Sequence, residues 1–188
     1  LEQYEEVWKK VSGKKGGFHY SEDEEETKER GRSMIRRVLE NPGPLKNKAL
    51  RLKDSPSGML PHYYISEEDN IILCGKIDWL EHIPADDSLH VIDFKTGKNE
   101  EKSGSLQLPI YLLLLSNLQK RKVSKASYWY LDKDTDLTPA TLPSVEDSKE
   151  KVLQVAREVK KAREEKLFEC PRKGCFSCKP FETIIAGE

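Results

Sequence analysis

Two short runs hold residues able to do chemistry together: Gly75-Lys76-Ile77-Asp78 and, after a turn, Val91-Ile92-Asp93-Phe94-Lys95-Thr96-Gly97. Side chains alternate faces along a strand, so Asp93 and Lys95 share one face and Ile92 and Phe94 the other. Burying Ile92 and Phe94 fixes the direction in which the polar pair looks. If the preceding strand pairs antiparallel with this one, Asp78 comes close to Asp93. Two neighbouring carboxylates repel unless a cation lies between them. A hard ion such as Mg²⁺ or Mn²⁺ suits that position, held by one or two carboxylates, waters and a substrate phosphate. Such an ion activates a water and neutralises charge on phosphoryl oxygens, while Lys95 stabilises the charge that develops during attack. The plain alternative is an exposed ion pair, since Asp-x-Lys is common on strands.

The elements that must position these residues are legible in outline. Tyr4, Trp8 and Val11 have helical spacing over residues 1–11, and a Gly- and Lys-rich loop follows over 12–20. Ser21 and Glu24 form a capping-box pattern opening a charged helix that Asn41-Pro42-Gly43-Pro44 ends. Strand-like runs occupy 49–52, 63–65, 71–80 and 90–94, with Asp54-Ser55-Pro56-Ser57-Gly58 as a turn between the first two. A helix is expected from Ser105 to Leu118, with Leu108, Tyr111, Leu112 and Leu115 on one face. An aromatic strand over 126–131 can pair with 138–142. Pro143-Ser144 then starts a long helix to about Lys166, with Val152, Val155, Val159 and Ala162 as its buried stripe.

The order of these parts, Gly-x-x-Asp, then Ile92-Asp93-Phe94-Lys95-Thr96-Gly97-Lys98, then Gln107-Leu108-Pro109-Ile110-Tyr111, resembles the RecB-like branch of the PD-(D/E)xK nuclease superfamily. The resemblance covers 71–115 and implies an α/β fold with a restriction-endonuclease-like core, a mixed central sheet flanked by helices. The first core helix and the Gln107 helix would pack over that sheet. It makes the whole chain, 1–188, one nuclease domain, with 168–188 a cysteine-containing tail. By position it makes Asp78 and Asp93 metal ligands and Lys95 the catalytic lysine. Gln107 would position the lysine or the attacking water, and Tyr111 would line the site, the alternatives being an N-terminal cap partner for Gln107 and core packing for Tyr111. Thr96-Gly97 would lie near bound phosphates. The implied activity is Mg²⁺- or Mn²⁺-dependent cleavage of DNA phosphodiesters, exonuclease-like, beside a helicase or another repair or recombination subunit. One departure stands out: family members commonly carry a metal-binding His on the first core helix, and Gly31 to Arg36 contains none. Glu40 can substitute, or be a solvated helix-end residue. A module that binds DNA without cutting it efficiently is the rival expectation. Of the histidines, only His82, four residues past Asp78, merits a test.

Composition bounds the rest. A chain of 188 residues can bury a core without disulfides, and 35% charged residues imply heavily solvated helix faces. The net charge of -1 names no partner, so a basic groove must be local, for instance Lys46–Lys53 or Lys120–Lys125, unless these are merely solvated. No apolar run is long enough to span a bilayer and no signal peptide opens the chain, so cytoplasm is the expected compartment. The chain starts Leu1-Glu2-Gln3, without an initiator Met, and is expected to be part of a longer polypeptide. Cys170, Cys175 and Cys178 are spaced C-x4-C-x2-C. By resemblance they are part of an iron–sulfur motif, but such clusters need four thiolates and Cys74 reads as a small buried strand residue. The expectation is therefore a folded tail without a cluster, pinned by Phe176, Phe181 and prolines.

Overall fold

The computed structural model describes residues 1–52, 60–168, 170, 172 and 174–186. Its centre is a mixed four-stranded sheet of β3 (Trp79–Ile83), β4 (Ser88–Lys95), β5 (Val123–Tyr130) and β6 (Thr138–Ala140), in that order. The β3–β4 and β5–β6 pairs are antiparallel, whereas β4 and β5 are parallel. Parallel neighbours require a crossover, and helix α3 (Gln107–Leu118) provides it. A separate hairpin, β1 (His62–Ser66) and β2 (Ile71–Cys74), lies on the other side of α3.

That placement explains the sequence of α3, which is apolar nearly all round. Tyr111, Leu112 and Leu115 pack with Leu80, Leu89 and Val91 of the sheet. Leu113 and Leu114 pack with Ile65 and Leu73 of the hairpin and with Val152 of α4 (Val145–Glu164). A helix buried on both sides needs no polar stripe. Pro109 is harmless in its first turn, where backbone N–H groups lack helical partners in any case.

The run 71–80, expected as one strand, is two. It breaks at Gly75–Asp78, and its halves join different sheets. Gly75 suits the break: a Cβ there would lie 2.9 Å from Leu114 Cδ1, so any other residue would force the buried Leu114 side chain to shift. Residues 49–52 form no strand, though Leu50 N–H donates to the Leu80 carbonyl at 2.7 Å. The expected turn at 54–58 lies outside the described residues.

Helix α2 (Ser21–Glu40) starts without the expected capping box: Tyr20 is its N-cap residue, with no side-chain cap. Glu24 is engaged elsewhere, accepting from Trp8 Nε1 at 3.0 Å and from Gly13 N–H at 2.9 Å, and so ties α1 (Glu2–Trp8) to α2. The α2 arginines reach the C-terminal ends of β4 and β5, Arg30 donating to the Thr96 carbonyl and Arg37 to that of Leu131. The first core helix thus meets the ends of these strands through its arginines.

Helix α4 starts as its sequence indicates, with Ser144 Oγ accepting from Asp147 N–H at 2.9 Å. Ser144→Ala is therefore expected to lower unfolding free energy by about 1 kcal/mol, read from urea denaturation. The expected stripe is only half right. Val152 is buried but Val159 is exposed, and the second half of α4 bonds through Arg157 and Lys160 to Asp69 of the β1–β2 turn. The tail adds a helix not expected from sequence, α5 (Lys179–Ala186).

Candidate active site

The site forms at the C-terminal end of β4. Its orientation is set from behind, where Phe94 packs 6.1 Å from the Trp79 ring and edge-on at 5.6 Å to that of Trp129. With Ile92 fully buried and Phe94 in that aromatic stack, Asp93 and Lys95 must face α3. Because β3 begins opposite Ile92, the residue before it, Asp78, lies beside the Asp93–Phe94 peptide. Its Oδ2 accepts from Phe94 N–H at 3.0 Å.

Asp93 is only 1% exposed, unlike a surface ion-pair residue. Its Oδ1 accepts from Gln107 Nε2 at 2.6 Å and from Tyr111 Oη at 3.1 Å. The i, i+4 spacing of Gln107 and Tyr111 puts both on the same face of α3, and Gln107 Nε2 also donates to Tyr111 Oη at 3.1 Å. Gln107 Oε1 accepts from Lys95 Nζ, so one amide orients both the carboxylate and the lysine. Tyr111 is both a core residue against Leu80 and Val91 and a donor to the site.

Burial is the main influence on Asp93 and raises its carboxyl above the ordinary range; Lys95 opposes this and the charge of Asp78 adds to it. Burial likewise disfavours the Lys95 ammonium, but contacts with Glu101 and Asp93 outweigh it and lift the group to about 12. Lys95 is thus a cation at neutral pH. Burial also pushes the Tyr111 phenol up to about 12, leaving it protonated and able to donate.

The donor set fits a hard divalent cation. Asp93 Oδ2 is buried with no hydrogen-bond donor; Lys95 Nζ is 3.0 Å away as an ion-pair contact only. Asp78 is exposed beside it and supplies a second carboxylate. A third side-chain ligand is lacking where a helix would offer one. Glu40 ends α2 as an exposed residue, with no hydrogen bond or ion pair to the site. His82 pairs with Asp87 at 2.7 Å, away from Asp78.

Sequence reasoning missed two neighbours. Glu101, in the loop between β4 and α3, contacts Lys95 Nζ directly. Nothing separates it beforehand from Asn99, Glu100 and Lys102 in the same charged run. Tyr128 lies opposite Asp93 on the parallel neighbour strand, its ring centroid 5.3 Å from Lys95 Nζ. Strand alternation in 126–131 was its only available signal.

A cleft of about 450 Å³ opens beside Asp78, with Arg51, Lys76 and Trp79 among its lining residues. The basic run 120–125 sits elsewhere. It leads into β5 at Val123, opposite Leu89, whereas the site is opposite Tyr128 to Tyr130. At ~3.3 Å per residue that is roughly 20 Å away along the sheet. Lys53 lies outside the described residues.

The sulfurs of Cys170, Cys175 and Cys178 converge to within 4.8 Å of one another. Hydrogen bonding led by the Arg172 backbone N–H holds the Cys170 thiol down at about 7, while its bond with Cys170 pushes Cys178 up to about 12. Cys74 is exposed on β2 and is not part of this group. The expected pinning of the tail by aromatic packing does not occur: Phe176 is 96% and Phe181 68% exposed. Hydrogen bonds from the N–H groups of Cys178 and Lys179 to the Cys175 carbonyl shape the turn instead.

A mixed sheet crossed by one helix, with Asp, Asp, Lys and Gln converging at the end of a central strand, defines a nuclease-like α/β protein. The family model of the PD-(D/E)XK nuclease superfamily matches residues 1–181, and the chain belongs to that superfamily. No curated protein matches the sequence. Among the described residues no helix is long and apolar enough to cross a membrane.

Proposed function

We propose that the chain is a divalent-metal-dependent deoxyribonuclease whose working residues are Asp78, Asp93, Lys95, Gln107 and Tyr111. The observation that carries this is the buried Asp93 Oδ2, without a hydrogen-bond donor and next to Asp78 and a cationic Lys95. Asp78 and Asp93 would hold Mg²⁺ or Mn²⁺, which supplies an activated water and neutralises phosphoryl charge. Gln107 and Tyr111 fix Asp93 through its Oδ1 and leave Oδ2 for the ion. Lys95 offers N–H donors to the charge developing on phosphorus-bound oxygen. Arg51 and Lys76, at the cleft beside Asp78, suit the strand's phosphates.

The finer reading, an exonuclease-type RecB-like domain working with a helicase or another repair subunit, follows from the sequence motifs. The decisive experiment is incubation of the purified protein with end-labelled single- and double-stranded DNA in Mg²⁺, Mn²⁺ or EDTA. Cleavage in either metal that stops in EDTA is expected, and end-labelled products separate exonucleolytic from internal cutting. DNA binding without cleavage in either metal would instead establish a non-cutting binding module. That second reading is favoured by one observation, the absence of a side-chain ligand from α2.

A further inference from the structure

Three oxygens surround the Lys95 ammonium: Gln107 Oε1 accepts a hydrogen bond from it, and Asp93 Oδ2 and Glu101 Oε2 lie against it in ion-pair contact. A phosphate oxygen approaching this lysine competes for it with the two carboxylates already in contact. Asp93 and Gln107 cannot leave easily. One is buried within β4 and the other opens α3, and each is held by a further hydrogen bond within the Asp93–Gln107–Tyr111 set.

Glu101 differs in its place in the chain, its exposure and its chemistry. It belongs to the connection between β4 and α3, its side chain is 22% exposed against 1% for Asp93, and it is an anion whose oxygens accept from an ammonium as those of a phosphate do. Its segment is tied by Glu101 N–H to Tyr130 Oη at 3.1 Å, by Ser105 N–H to the Lys102 carbonyl at 3.2 Å and by the exposed Lys133–Glu100 pair at 2.6 Å, and the Ser105 side chain also hydrogen-bonds the Glu101 carboxylate. Exposed pairs of that kind stabilise little. Of the two carboxylates in contact with the lysine, Asp93 lies on β4 and Glu101 in a loop, so Glu101 is the one that loop movement can withdraw.

We propose that Glu101 is a displaceable occupant of the phosphate position on Lys95, capping the lysine until a backbone phosphate of the substrate takes its place. This rests on the nuclease reading and adds to it a competition between an internal carboxylate and the substrate. Entry of the phosphate moves Glu101 toward solvent, with no covalent change.

The test is binding of fluorescein-labelled single-stranded DNA in EDTA, where cleavage does not contribute, by the wild-type chain, Glu101→Gln, Lys95→Ala and the double variant. Glu101→Gln keeps the size of the side chain and removes its charge. It is expected to tighten binding about fivefold, the scale of one charge-assisted hydrogen bond won back from a competitor. In the Lys95→Ala background the same change is expected to do far less, which a general reduction in negative charge would not produce. Unchanged or weaker binding by folded Glu101→Gln, or equal tightening in both backgrounds, would overturn the proposal. Failure of the wild-type chain and Glu101→Gln alike to bind DNA would also overturn the proposal, whereas the nuclease reading stands or falls separately on cleavage in Mg²⁺ or Mn²⁺.

Discussion

Lys95→Ala is expected to lower the metal-dependent cleavage rate by on the order of a hundred- to a thousand-fold, the usual loss when a donor to transition-state charge is removed. Lys95 is held at 17% exposure among Asp93, Glu101, Gln107 and the Tyr128 ring, and among the described residues no other cation is in contact with Asp93. The loss should fall on kcat at saturating DNA, because the role assigned to the lysine grows as charge develops on the phosphoryl oxygens. Removing the cation also leaves Asp93 buried without its main counter-charge, which raises its carboxyl further. The variant should therefore need more metal for half-maximal activity, and the deficit should deepen as pH falls toward the raised Asp93 value. Circular dichroism and a thermal melt must accompany the assay. Lys95→Met, which preserves the aliphatic length, serves if the Ala variant does not fold. Wild-type rates in a folded variant would remove Lys95 from the reaction.

Trp129→Ala should be the most damaging single core change, costing about 3–5 kcal/mol in urea denaturation. Against a typical domain stability of about 5–15 kcal/mol, that is a large share. Trp129 is the largest fully buried side chain among the described residues, 1% exposed, and it braces Phe94 edge-on from behind the site. Gly43, in the turn after α2 at φ +48°, sits against the same ring, where a Cβ would be 3.3 Å from Trp129 Cη2. The ring thus joins the turn after α2 to the sheet, and its loss also frees Phe94 to move the Asp93–Lys95 peptides. Trp129→Phe separates volume from polarity. The indole N–H is buried without an acceptor, so Phe keeps much of the packing and removes an unsatisfied donor. It is expected to cost well under half of the Ala change. Equal losses for Phe and Ala would show that the full indole shape, rather than bulk apolar burial, holds this region.

What the sequence determined by itself was whatever depends on neighbours a few residues apart. Alternation along β4 put Asp93 and Lys95 on one face and Ile92 and Phe94 on the other. Helical spacing put Gln107 and Tyr111 together, and Ser144 announced the start of α4. These survive in the structure because their causes are local: strand pleat, helix pitch and a cap within one turn. The superfamily was legible for the same reason, since its motifs are short and ordered.

The tertiary structure decided everything that depends on chain segments far apart. It split the apolar run 71–80 at Gly75, because Leu114 of α3 passes there and no local signal anticipates that approach. It turned Glu24 from a helix cap toward Trp8 and Gly13 of a preceding segment. It left Val159 in solvent where the helical stripe alone would bury it, and placed Lys120–Lys125 at the end of the sheet remote from the site. It also brought Glu101 out of an ordinary charged loop and onto Lys95. A loop residue's surroundings are set by whatever packs against the loop's ends, here Tyr130 and Gln107, and sequence periodicity carries no information about those contacts.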